Sequence, residues 1–195
     1  MPQRNRVDPD GEIVAVALRG RWMGNRGCIH RDHAIVRGWN TRRWITCALA
    51  FKGWVAPKWA PGRWTALFFY DEAVALSAGH RPCALCRRAD YERYLSAAGF
   101  AGADALDAQL HAERLEGRRK RRHAIAWREL RDGTFVEQDA VPHLVLGDRL
   151  LPWFSASGYG APIARPTSGA TMMLTPPTSL RALENGYAVQ VARPS

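Results

Sequence analysis

The stretch from Gly79 to Arg88, GHRPCALCRR, constrains this chain more than any other. Two cysteines two residues apart on one turn can aim both sulfurs at a single ion. A helix starting near Cys86 would add its dipole, which favours thiolate. The flanking Arg81, Arg87 and Arg88 would offset the negative charge of the sulfurs. Two further cysteines, Cys28 and Cys47, bring the total to four, the number a closed tetrahedral zinc site needs. The sequence therefore predicts a Zn²⁺ site built from Cys28, Cys47, Cys83 and Cys86, with His30 and His80 as the nearest spare ligands.

Other uses of these cysteines compete with that expectation. A lone cysteine such as Cys47 packs well in a core strand as a small hydrophobe. A redox dithiol usually follows a strand in a βαβ setting, whereas this pair follows a helical stretch and a glycine. A disulfide framework suits a secreted chain, and the opening MPQRNRVDPDGE lacks the apolar segment of a signal peptide. The expectation is a cytoplasmic protein with reduced thiols. No apolar run approaches the roughly 18 residues that a membrane span requires.

Patterning predicts an α+β fold: a small sheet with short helices around a Cys₄ zinc site, then a helical and finally β-rich C-terminal half. EIVAVAL (12–18), RRWITCALAF (42–51) and RWTALFFY (63–70) read as strands. Asp71 is placed to cap a short helix that ends at Gly79. A second helix follows the cysteine pair, with Tyr91, Tyr94 and Leu95 at inward spacing. The stretch 103–130 favours helix, interrupted at Gly117. RDGTFV, HLVLGDRLLPWF and GYAVQV read as strands, and TPPTSLRALENG carries a proline start and a glycine stop. A soft boundary near 99–103 divides a zinc-binding region, 1–102, from a basic and β-rich region, 103–195; one continuous domain fits as well.

The net charge of +10 rests on 28 lysines and arginines against 18 acids, a balance that points to a polyanionic partner. Arg118, Arg119, Lys120, Arg121 and Arg122 stand consecutively before His123. Like charges packed this closely want an anion or open solvent. These five, with Arg81, Arg87 and Arg88, are the candidate contacts to DNA or RNA. Six of the eight tryptophans lie between Trp22 and Trp64, interleaved with arginines, so they can stack on bases or on the arginines themselves. His111 shares a helix face with Arg114 but has no acid–base partner there.

The stretch Leu67–Tyr91 resembles the zinc-binding half of the N-terminal domain of the Ada DNA-repair family. The matching residues are Phe68, Ala73, Ala78, Gly79, Arg81, Pro82, Cys83, Cys86 and Arg87. The resemblance implies that Cys83 and Cys86 form the second ligand pair of a four-cysteine zinc site. In that family one zinc-held cysteine takes a methyl group from DNA, so a repair-type role is implied too. The family's first pair is close-spaced, whereas Cys28 and Cys47 stand nineteen residues apart. The whole chain is also similar to a bacterial family sharing the NRGC, GHRPC-x-x-C and LHAERL stretches, a likeness that implies no activity. Three function classes follow: a zinc protein that binds nucleic acid, an enzyme acting on nucleic acid or phosphate esters, and a zinc-stabilised interaction scaffold.

Overall fold

The computed structural model describes residues 1–53 and 59–192. The chain is mixed α+β and dominated by sheet. The first half contributes β1 (Arg6–Val7), β2 (Ile13–Val14), β3 (Trp22–Asn25), β4 (His30–Arg31), β5 (Ala34–Ile35), β6 (Ile45–Cys47), β7 (Leu67–Phe69), α1 (Glu72–Ser77), β8 (Arg81–Pro82) and α2 (Arg88–Ala97). The second half contributes α3 (Ala103–Arg114), β9 (Leu115–Glu116), β10 (Arg119–Lys120), β11 (His123–Ala126), a single 3₁₀ turn (Trp127–Glu129), β12 (Phe135–Gln138), β13 (Val141–Leu146), β14 (Arg149–Phe154), β15 (Gly158–Tyr159), β16 (Ile163–Ala164), β17 (Ala170–Met173) and α4 (Pro177–Glu184).

One large sheet runs β2-β1-β7-β3-β6-β8, a second runs β11-β17-β12-β13-β14-β15 with β16 also on β14, and β4–β5 and β9–β10 form separate two-stranded pairs. Helix α1 is buried along its whole length, Glu72 included. A helix buried all round must be apolar all round or have its polar groups satisfied. Asp71 satisfies its start: one carboxylate oxygen accepts from Val74 N at 2.9 Å, the other from Tyr159 Oη at 2.7 Å and Ala192 N at 2.9 Å. The core around α1 draws Val7, Phe69 and Val74 together with Phe135, Leu144, Trp153 and Leu174, so it spans both sides of residue 102. A second cluster joins Leu76, Tyr94, Leu106, Leu110 and Leu183.

Two sequence expectations are corrected. The basic run is not helical: α3 stops at Arg114, and Gly117, at φ +61°, turns the chain into the β9–β10 hairpin. A left-handed residue at that corner is cheap only for glycine. GYAVQV forms no strand; Tyr187 is instead buried against Tyr94, with its hydroxyl donating to Glu72 at 2.6 Å.

Candidate metal centre

Cys47 ends β6, and Cys83 follows β8. The two strands pair in parallel, Ile45 with Arg81 and Thr46 with Pro82, and Cys83 N donates to Thr46 O at 2.8 Å. β8 lies at the sheet edge, where a proline forfeits no ladder hydrogen bond. Beyond it the chain turns tightly, with Arg87 N donating to Cys83 O at 3.1 Å, and the turn returns Cys86 to Cys83. On the inner side, Gly24 of β3 faces β6 so closely that a Cβ there would stand 2.1 Å from Ile45 O. Only glycine lets these two strands approach so closely.

The result is a group of three sulfurs, Cys47, Cys83 and Cys86, all within 4.8 Å of one another. Two sulfurs bound tetrahedrally to zinc stand about 3.8 Å apart, given Zn–S bonds of about 2.3 Å. A small contraction would close the set around an ion. Protons are shared unevenly among the three. Hydrogen bonds from the Cys47 and Cys86 thiols, with Leu85 N at 3.4 Å, hold Cys83 far below the ordinary thiol range. Donating to Cys83 and Cys86 pushes Cys47 up, and burial adds to this. The lowered Cys83 favours the thiolate form that a soft cation needs, and metal binding would expel the thiol protons that remain in the group.

The group opens into an apolar pocket of about 430 Å³, lined by Met23, Ile45, Phe51, Trp64 and Leu85 beside the cysteines. Sequence reading missed this lining. The pairing of Met23 with Cys47 across β3 and β6 sets it, and no local motif announces a cross-strand register.

Of the four expected cysteines, the structure brings three together, and Cys28 is not in the group. Cys28 sits in the loop after β3, where Gly27 turns at φ +88°. The loop is tied to Thr65, which donates its N–H to Gly27 O at 3.0 Å and accepts from Ile29 N at 2.9 Å. The Cys28 sulfur faces His30 O at 3.9 Å. Neither spare histidine joins the group. His30 is buried, with Nδ1 2.6 Å from Thr65 Oγ1, and His80 is buried against Phe69 and Trp44. Residues 54–58, outside the described part, contain no Cys, His, Asp or Glu.

Two of the three arginines around the pair are buried in ion pairs. Arg81 makes a buried bidentate pair with Asp107 at 2.9 and 2.7 Å. Arg87 is buried between Glu72, at 2.5 Å, and Asp90, at 2.8 Å, and lies over the Trp22 ring at 3.9 Å. These pairs hold both ends of the Cys83–Cys86 turn and leave neither guanidinium free for a partner. Arg88 is exposed and paired with Glu92. In the basic run, Arg122 pairs with Glu137 and Asp10, Lys120 donates to Ser77 O, and Arg118, Arg119 and Arg121 are exposed. His111 packs edge-on against Trp39 and beside Arg114.

Among the described residues, no helix is long and apolar enough to cross a membrane. No family model, curated protein or solved structure matches the chain.

Proposed function

We propose that this chain is a zinc protein in which Cys47, Cys83 and Cys86 hold one ion and the fourth position faces the apolar pocket. The mutual approach of the three sulfurs carries this reading. Thiolate sets favour zinc among the common divalent ions. Three protein ligands with one open position is the arrangement of zinc sites that bind water or a substrate, rather than of closed structural ones. Met23, Phe51 and Leu85 around that opening favour an incoming ligand that joins a donor atom to an apolar body. X-ray absorption on zinc-loaded protein is expected to show three sulfur scatterers at about 2.3 Å and one nitrogen or oxygen at about 2.0–2.1 Å. A shell of four sulfurs, or of two, would sink the three-thiolate assignment.

A second reading, nucleic-acid binding, is favoured by the β9–β10 hairpin and the residues after it. Arg118, Arg119 and Arg121 are exposed there, and none forms an ion pair among the described residues. Reversing Arg119 and Arg121 to Glu is expected to weaken DNA or RNA binding uniformly across sequences. The slope of log K against log salt should fall by about 1 for each phosphate that is no longer neutralised. An unchanged slope would dismiss this surface.

A further inference from the structure

Beside Asn25 and Ile45 of the thiolate pocket, the next residues, Arg26 and Trp44, line a second pocket of about 340 Å³. Five arginines, Arg4, Arg26, Arg37, Arg114 and Arg118, line it with Lys120, whose ammonium pKa burial pulls down to about 7, against two acids, Asp10 and Glu12. Arg26 and Arg114 are 3% and 1% exposed, and both lie against the Trp44 ring, 3.8 and 4.0 Å from its centre. Buried charges are ordinarily paired, because an unpaired one carries most of its desolvation cost. Yet among the described residues neither Arg26, Arg114 nor Lys120 forms an ion pair.

Their hydrogen bonds do not make up the deficit. Arg26 Nε donates to His80 Nε2 at 3.2 Å, and its buried Nη2 has no partner. Arg114 spends its Nη groups on Gly79 O and Arg42 O, at 2.8 and 2.7 Å, while its Nε has none. His80 cannot supply negative charge. Burial, reinforced by Arg26 and Arg114, keeps its ring neutral well below the usual histidine range. The excess of cations is more than one carboxylate would answer. Guanidinium edges match phosphate oxygens, and the volume suits a small ligand.

We infer that this pocket binds a terminal phosphate monoester, with the free edge of Arg26, Lys120 and the lip residue Arg118 on its oxygens and Trp39 as a wall for the rest of the molecule. The inference is independent of the metal centre, since no thiolate lines this pocket. The phosphate could belong to a small metabolite or to the phosphorylated end of a nucleic acid.

Titration calorimetry and thermal unfolding with inorganic phosphate, at matched ionic strength in chloride, test this. Saturating phosphate is expected to raise the melting temperature of the wild type by roughly 3–8 °C. Arg26→Met should abolish both the heat and the rise. Arg118→Glu, at the exposed lip where folding is not at stake, should weaken binding roughly tenfold. Cys83→Ser protein should bind phosphate like the wild type, which separates this site from the zinc assignment. Adenosine monophosphate and DNA oligonucleotides with and without a terminal phosphate identify the source. Preference for the phosphorylated oligonucleotide, abolished in Arg118→Glu, assigns a nucleic-acid end. Binding of the nucleotide alone assigns a small ester. No phosphate binding by the wild type, or binding unchanged in both arginine variants, overturns the inference.

Discussion

Replacing Arg87 with methionine is expected to destabilise the fold by about 3–5 kcal/mol, the cost of breaking a buried ion pair from one side. The magnitude follows from what is stranded. The Arg87 and Glu72 side chains are 2% and 0% exposed. Glu72 sits in the first turn of the buried α1, where it also accepts from Tyr187 Oη at 2.6 Å and Gln190 N at 2.9 Å. Those two neutral donors would be left to hold a full negative charge out of water. The variant also loses the guanidinium over Trp22 and the bond to Thr46 Oγ1 at 3.3 Å. Urea unfolding measures the loss. The double variant Arg87→Met/Glu72→Gln should recover more than half of it, because it removes the orphaned charge as well. A single-variant loss under about 1 kcal/mol would show that the pair is solvated and does not anchor the cysteine turn.

The sequence carries the helices of this chain more clearly than its site. Asp71, Gly79, the inward Tyr91 and Tyr94, and the proline start of α4 are local signals, and each is visible within one turn of helix. Cys83 and Cys86 are legible for the same reason. Cys47 joins them only through the parallel pairing of β6 with β8, a pairing between distant segments of the chain with no local trace. The same lack of trace lets Cys28 look equivalent to Cys47, although the Gly27 turn and Thr65 carry it elsewhere. Charge misleads in a related way. Arg81 and Arg87 look like surface beside a metal site, but Asp107 and Glu72, distant in sequence, draw them inward. Interleaved tryptophan and arginine is the one distributed signal, and it appears as Arg26 and Arg114 on Trp44 and as Arg87 on Trp22. That two of these arginines lack acids could be learned only from the fold.

Serine at Cys83 is expected to remove metal binding almost completely. Cys83 is the sulfur at which the other two thiols converge, and a hydroxyl at neutral pH cannot replace a thiolate as a soft donor. Cys47→Ser should act the same way, because two thiolates in one turn leave half of the tetrahedron to water. Cys28→Ser should change nothing at the metal, since its sulfur belongs to another loop. Acid should release the ion from the wild type, because falling pH returns protons to sulfurs that must be deprotonated to bind. Zinc per chain in natively purified protein, wild type beside Cys28→Ser, Cys47→Ser and Cys83→Ser, is the deciding measurement. The three-thiolate centre predicts about one zinc in the wild type and in Cys28→Ser, and close to none in the other two. Zinc absent from Cys28→Ser, or retained in Cys47→Ser and Cys83→Ser, would contradict it.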